Sequence, residues 1–486
     1  MVEAFLVIDA GSGSVKSFLI SPLGEVLARS ESLWDRDNWR SEAAWSKIVD
    51  SVSELMSEPS WDVLGLCSTS MREEFILLDE QGNEITFQLN EESEKHGFRT
   101  LDALGEEMYK SSGHWPVPNW IAGAILPWLK EAQLRLFDDI SSILMISDWV
   151  NFKLCGEKAT EGSSACETSL YDIKTNNWNW NLIDAFQLLK TMFPRAMKNG
   201  EVLGYVTKQV SEESGIPEGT PVVVGGADTQ CGLLGMGVMN GQAGAVGGTT
   251  TPVQLVMDEP LLDSEMRTWS NNYLMDGYWI LESNAGYTGR GVRWIKDVLL
   301  GGESSYTDLN MMAEKVPIGS NDVLTYLGPH LFDNSPPYWL MDNLGNLPVI
   351  PTITGSHDFD LGTLTRAVLE ANCYGVKANL DQLVDISGVH VDLLYFSGGN
   401  AKSDLWMQIQ SDVLDMPVHV PRVRDATAVG CAALASMGTG YYGDLEEALE
   451  NMVKIGKVYE PRKAESKMYQ SHYNRWMDTR ERLFKP

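Results

Sequence analysis

Basic residues are scarce in this chain of 486 residues: 37 Lys and Arg stand against 67 Asp and Glu, a net charge of −30. A surface of that sign repels nucleic acid and anionic membrane, which excludes polyanion binding as the main function. It also repels an anionic nucleotide, so any phosphate site has to be built locally, from backbone N–H groups and a metal. Long apolar runs are missing too, and none could span a bilayer. The opening "MVEAFLVIDAGSG" has Glu3 and no basic region ahead of its short apolar run, unlike a secretory signal. A cytoplasmic location is therefore expected. The six cysteines form no CxxC pair and no Cys/His cluster at zinc spacing. They read as small buried residues of a reducing compartment. Charge is absent locally as well. Asp228 is the only charged residue between Glu218 and Asp258, inside the glycine-rich stretch "PVVVGGADTQCGLLGMG". A lone Asp after a strand is often a helix cap or turn former, so its role depends on context.

What is present suggests two domains, because one core rarely organises this many residues. The first segment reads as a meander: strands "AFLVID", "VKSFLIS" and "VLARSES" joined by the turns "AGSGS" and "PLGE". Strand, glycine turn and strand return at "AGAVG", "GTTT" and "PVQLVM", which suggests an internal duplication. Between residues 91 and 194 come charged helical stretches, loops and many tryptophans, expected to cover a sheet and wall a cleft. Later, Leu361, Leu364, Val368, Ala371, Gly375 and Ala378 recur at helical spacing. "TAVGCAALASMGTG" reads as a second, small-residue helix able to approach another backbone closely. The boundary is placed at Asn240–Gly241, giving domains 1–240 and 241–486.

Three glycine-rich turns follow or join strands: Asp9 to Ser14 with Lys16 beyond, Gly247 to Thr251, and Ser397 to Ser403. Glycine lets backbone N–H groups converge on an anion without interference from a Cβ. None of the three fits GxxxxGK[ST] or a GxGxxG that opens a helix. Since the first turn runs into a strand, it does not read as a dinucleotide site.

A carboxylate ahead of one glycine–serine hairpin, matched by a glycine–threonine hairpin in the second half, resembles the actin-like, ribonuclease H-like ATPases. In those proteins two hairpins grip phosphates across an interdomain cleft. The fold expected is α/β, with two such domains. More closely, "FLVIDAGSGSVKSFLIS", "STSMREEFILLDEQG", "VVVGGADTQCGLLGMG", "GAVGGTTTPVQL" and "FSGGNAKSDLWMQIQSDVLDMPVHVPRVRDATAVGCAALA" resemble, in order, the motifs of the FGGY carbohydrate kinases. Within that family, "SMREEFILLDEQGNEI", "ILMISDWVNFKLCGE" and "GGADTQCGLLGMGV" look most like autoinducer-2 kinases, with xylulose and ribulose kinases as near alternatives. The chain departs from the family at "NAGYTGRGVRWIKD", which holds Arg290 and Arg293, and at "YLGPHLFDNSPPYW".

The resemblance implies an ATP- and Mg²⁺-dependent kinase that phosphorylates a hydroxyl of a small sugar or polyol, either autoinducer-2 or a ketopentose. The alternatives are a kinase for another ketose or polyol such as xylulose, ribulose or glycerol, and a nucleotide-dependent assembly ATPase of the same superfold. Asp228 is the implied general base, with desolvation raising its pKa and a nearby metal lowering it. Asp9 would orient the metal; its structural alternative is to stabilise the hairpin turn. Gly11, Ser12, Gly13 and Ser14 would bind phosphates, with Lys16 either neutralising charge or merely solvated. Gly248 and Thr249 would hold phosphate from the other domain, and Gly398, Gly399 and Ser403 would face adenine and ribose or form a plain strand–helix turn. Arg72 and Glu73 are the expected polyol clamp, a rigid donor fork beside a hydroxyl acceptor; the alternative is a surface ion pair. Trp120 is either an aromatic substrate wall or core packing, Thr229 follows the base and contacts substrate, and Met71 shapes the pocket. The partners expected are a small molecule and a second copy in a homodimer, with neither nucleic acid nor membrane.

Overall fold

The computed structural model describes residues 1–34, 40–58, 60–299, 305–333, 352–356 and 358–484. The divergent segment "YLGPHLFDNSPPYW" lies outside the described residues from Asn334 onward.

The first half is organised on a six-stranded sheet. Its strands are β1 (Val2–Ala10), β2 (Ser14–Ile20), β3 (Val26–Leu33), β4 (Trp61–Ser70), β5 (Val202–Tyr205) and β6 (Pro221–Ala227), in the order β5-β6-β4-β1-β2-β3. The three-strand meander read from the sequence is β1 to β3, paired antiparallel. Central β1, β4 and β6 run parallel. Ala4, Phe5, Leu6, Val7 and Ile8 are fully buried, as a strand covered on both faces requires. Helices and short strands between residues 91 and 194 build a second core beside this sheet.

In the second half the sheet has seven strands: β7 (Ala243–Gly247), β8 (Pro252–Met257), β9 (Trp269–Asn272), β10 (Trp279–Asn284), β11 (Leu394–Gly398), β12 (Val418–Pro421) and β13 (Ile455–Tyr459). Their order is β9-β10-β8-β7-β11-β12-β13. Here too a hairpin, β7/β8, is followed by two strands parallel to its first member and then an antiparallel edge strand. The two sheets share this central arrangement of a hairpin and two parallel strands, so the duplication suggested by two glycine hairpins extends to the middle of each sheet. Alternation of strands with helices on their faces is the α/β arrangement expected.

Three helices fix the frame: α1 (Asp228–Met236), α2 (Leu361–Ser387) and α3 (Ala426–Gly438). Asp360 caps α2 by accepting from the Thr363 N–H at 2.8 Å, and Gly388 ends it at φ 68°. The small-residue helix α3 is buried almost all round; it packs on β1, β4 and β6 of the first sheet while crossing α1. At the crossing, a Cβ on Gly235 would strike the Ala426 carbonyl oxygen, and one on Gly430 would strike that of Cys231. The two backbones are in contact. All six cysteines are free, five of them buried.

The crossing yields a test. Gly235→Ala forces α1 and α3 apart, and because the atom met is backbone it cannot be relieved by a rotamer change. Destabilisation of about 1–3 kcal/mol or more is expected, read as a lowered denaturation midpoint. Ala substitution at Gly219, where no heavy atom lies within 4 Å of the added Cβ but φ is 81°, measures the cost of backbone strain alone. Equal losses at the two positions would contradict the role given to the crossing.

Candidate active site

Three parallel strands deliver the site. In register, Asp9 lies beside Thr69, and Ala10 and Ala227 flank Ser70. The segments that leave these strand ends are therefore neighbours: Asp9 with the first glycine turn, Met71-Arg72-Glu73 after β4, and Asp228 after β6. Carboxyl ends of parallel strands are where open α/β sheets bind ligands.

Asp228 is the first residue of α1, and its Oδ1 accepts from the Thr229 N–H at 2.7 Å. Thr229 donates its hydroxyl to Gln230 Oε1 at 2.7 Å, and Thr427 donates to the Asp228 carbonyl at 3.2 Å. Burial pushes the Asp228 carboxyl up to about 6, against the pull of Arg72 and with a push from Asp9. Asp9 is raised as well, by burial first, with Lys16 opposing and Asp425 adding repulsion. Lys16, opposite Asp9 in the hairpin, brings its Nζ to 4.0 Å from Asp9 Oδ2, so it faces the cleft carboxylate as well as solvent.

The glycine turns divide into two groups. In the first, Gly11 N–H donates to Ser14 O at 3.0 Å, while Ser12 and Gly13 are exposed. Ser14 donates its hydroxyl to Glu31 Oε1 at 2.8 Å, so its side chain serves β3 rather than the turn's open face. The second and third turns form one surface. Gly247 pairs with Gly398, whose φ is 87° and whose Cβ would strike Gly247 O. Asn400 Nδ2 reaches Gly248 O and Thr288 Oγ1, each at 3.4 Å. Gly248, Thr249 and Gly399 are exposed there. Ser403 Oγ accepts from the Trp406 N–H at 3.1 Å and so caps the following helix.

Arg72 is not half of a surface pair. Its side chain is 7% exposed, and its two terminal nitrogens donate to Glu282 Oε2 and Oε1 at 2.7 and 2.8 Å. It also lies 3.5 Å from Glu167 Oε1 and over the Trp269 ring. Glu73 holds φ 67°, an uncommon backbone state for a non-glycine residue and one that clusters at functional sites. Burial lifts its carboxyl to about 7; Arg72 pulls it down while Glu282 and Asp228 push it up. Trp120 is 41% exposed, which removes core packing as its role. Met71 sits at the rim of the first core and lines a cavity with Ser12, Glu74 and Ile146.

Sequence reasoning missed Glu282, Glu167, His114 and Trp269. His114 Nδ1 lies 3.2 Å from Glu167 Oε2, its Nε2 meets Asn271 Oδ1, and its ring stacks on Trp269. Burial lowers the imidazole to about 3, so it is neutral, and raises Glu167 well above the carboxylate range. The signal was available: Glu282 is the only charge between Asp276 and Arg290, and Glu167 the only one between Glu161 and Asp172. A lone carboxylate in an uncharged run is what drew attention to Asp228.

A raised carboxylate beside hydroxyl-accepting groups can take a proton from an alcohol as it attacks a phosphoryl group. For stability the sign is the reverse of the usual carboxylate case. Glu73 and Asp228 bind protons more tightly folded than unfolded, so their contribution is full below their ordinary values of 4.5 and 3.8. It is lost as pH rises through about 7 and 6. Glu73→Gln should therefore raise the melting temperature at pH ~8 and leave it nearly unchanged at pH ~4. An equal shift at both would refute the burial-raised carboxyl.

Residues 4–235 match the N-terminal domain, and residues 243–439 the C-terminal domain, of the FGGY family of carbohydrate kinases. The curated autoinducer-2 kinase of Enterobacter sp. (strain 638) is 31% identical over 510 residues, which cover 97% of this chain and 93% of that protein. The ligand-bound xylulose kinase from Lactobacillus acidophilus superposes with a TM-score of 0.86 at 18% identity, over 100% of this chain and 99% of that one. The gluconate kinase from Lactobacillus acidophilus gives 0.85 at 17%, over 99% and 98%. At those identities the two structures speak for the fold alone.

Proposed function

This chain belongs to the FGGY family of carbohydrate kinases, and on that premise we propose the roles of its residues in ATP-dependent phosphorylation of a sugar or polyol hydroxyl. The acceptor proposed is autoinducer-2 or a ketopentose, supported by the near full-length similarity to an autoinducer-2 kinase. Kinases named for xylulose and for gluconate share the fold, so architecture leaves the acceptor open. A cytoplasmic enzyme with its two halves divided at Asn240–Gly241 completes the reading.

One observation carries it: Asp228 stands at a helix start, near enough to Asp9 to feel its charge, with its carboxyl lifted to about 6. Ionised at neutral pH yet more basic than a free carboxylate, it suits a general base. Asp228 accepts the proton of the acceptor hydroxyl as the oxygen attacks the γ-phosphorus. Glu73 accepts hydrogen bonds from neighbouring hydroxyls, while Arg72, Thr229 and Trp120 frame the acceptor. The turn of Gly11, Ser12, Gly13 and Ser14, closed by the Gly11 N–H on Ser14 O, holds phosphate from one side, and the turn of Gly248 and Thr249, closed by the Gly248 N–H on Thr250 O, from the other. Gly398, Gly399 and Ser403 form the base and ribose side. Such transfer needs positioning and charge neutralisation more than covalent chemistry.

The donor set at Asp9 fits a hard divalent cation. The carboxylate has Lys16 no nearer than 4.0 Å, and Asp425 close enough to repel it. Asp9 would hold Mg²⁺ directly or through water, and the ion would supply neutralisation of the phosphates when bound.

ADP release should depend on the acceptor within a panel of ketoses, polyols and the autoinducer-2 precursor. One member should raise it strongly, and Asp228→Asn should lower that turnover by roughly two or more orders of magnitude with ATP affinity little changed. Acceptor-independent release would instead favour an assembly ATPase. With the responding acceptor, kcat/KM should fall as pH drops through about 6, where Asp228 takes up a proton. A profile flat from pH ~5 to ~8 would remove Asp228 as the base.

A further inference from the structure

The guanidinium of Arg72 is already engaged. Arg72 leaves the end of β4 in the first half and turns both terminal nitrogens on Glu282, which projects from β10 in the second. The receiving side is pre-arranged. Glu282 is the direct cross-strand neighbour of Trp269 on β9 and of Gln254 on β8. Trp269 supplies the ring under the guanidinium, and Gln254 Nε2 donates to Glu282 Oε2 at 2.6 Å. A row of three side chains across three strands thus clasps one arginine. Glu282 and Gln254 are fully buried.

A guanidinium's paired N–H groups are what would recognise a carboxylate or phosphate on an acceptor. In this chain Glu282 fills that fork. Around it stand Glu73, Glu167 and Asp228, carboxyl groups raised first by burial and each pushed further upward by Glu282. Glu167 is 1% exposed, and its oxygens accept no hydrogen bond despite the nearness of Arg72 and His114. The surroundings offer many acceptors, and the guanidinium placed among them, that of Arg72, has both terminal nitrogens engaged. They suit a molecule that donates through hydroxyls and repel one that carries negative charge.

We propose that Glu282 is a positioning residue that sets acceptor specificity: by occupying the fork of Arg72 from across the two halves, it restricts the acceptor to uncharged polyhydroxy compounds and excludes sugar acids. This rests on the acceptor site being the one proposed above. A purely structural ion pair would behave differently, since weakening it would lower the use of every acceptor by the same factor.

The test compares wild type with Glu282→Gln, which keeps the shape and one acceptor oxygen but frees part of the fork. Two readouts are taken with the full chain: thermal stabilisation by a five- or six-carbon aldonate and by the neutral acceptor, and kcat/KM for each. Wild type should gain no stability from the aldonate. In Glu282→Gln the aldonate should stabilise, and the aldonate-to-neutral ratio of kcat/KM should rise by about tenfold or more. An unchanged ratio, or a wild type already stabilised by aldonates, overturns the proposal. If no compound raises ADP release, the kinase reading fails, and the thermal comparison alone decides the role of Glu282. Should Glu282→Gln not fold, Gln254→Leu removes the donor that orients Glu282 and should shift the ratio in the same direction; no shift there overturns the proposal as well.

Discussion

The contact on which the rest depends is the crossing of α1 and α3, where Gly235 and Gly430 let two helix backbones touch. One helix follows the last central strand of the first sheet. The other follows the corresponding strand of the second, yet packs on β1, β4 and β6. This holds the two halves in a fixed relation at one place. It also brings the starts of both helices, Asp228 and the residues after Asp425, to the same side of the molecule. Larger side chains at the crossing would separate those starts and with them the groups meant to face a shared ligand.

Around that frame the electrostatics are uneven. Asp9, Glu73, Glu167 and Asp228 are all held less acidic than free carboxylates, chiefly by burial. Arg72 tempers three of them and is itself held by Glu282. Breaking one side of such a buried pair leaves an uncompensated charge, so the pair is costly to disturb even where it adds little net stability. The fold tolerates an acidic site because one arginine is placed among the carboxylates, and the second sheet fixes that placement.

Much of this was legible in the sequence, for a physical reason. Strands such as "FLVID" and "PVQLVM" are mainly apolar runs next to glycine turns, and a helix such as "TAVGCAALASMG" announces close packing through its small residues. Asp228 stood out because nothing near it in sequence was charged. What stayed hidden were pairings made by the tertiary fold. Arg72 and Glu73 are adjacent, so a local ion pair was a reasonable alternative, but the partner of Arg72 lies 210 positions away. Trp120 and Trp128 look alike in sequence; the first is 41% exposed and the second 3%. Ser14 and Ser403 sit in phosphate-like turns, yet Ser14 donates to Glu31 and Ser403 accepts from the Trp406 N–H. Side-chain direction depends on neighbours that spacing does not name.

The shared central arrangement of the two sheets presents different groups at matching strand ends. At the ends of β1, β4 and β6 the first half places Asp9, the Arg72–Glu73 pair and Asp228. At the matching ends of β7 and β11 the second half places Gly247 and Gly398, whose backbones meet where a side chain would not fit. Carboxylates at the strand ends suit an acceptor hydroxyl that must lose a proton. Bare glycine backbone suits phosphates, which accept from N–H groups. Local backbone donors matter here, because the net charge of −30 leaves no general attraction for an anion to rely on. The second half nevertheless returns one carboxylate to the first half, through Glu282 on Arg72, and that single exchange makes the proposed acceptor site a product of both sheets.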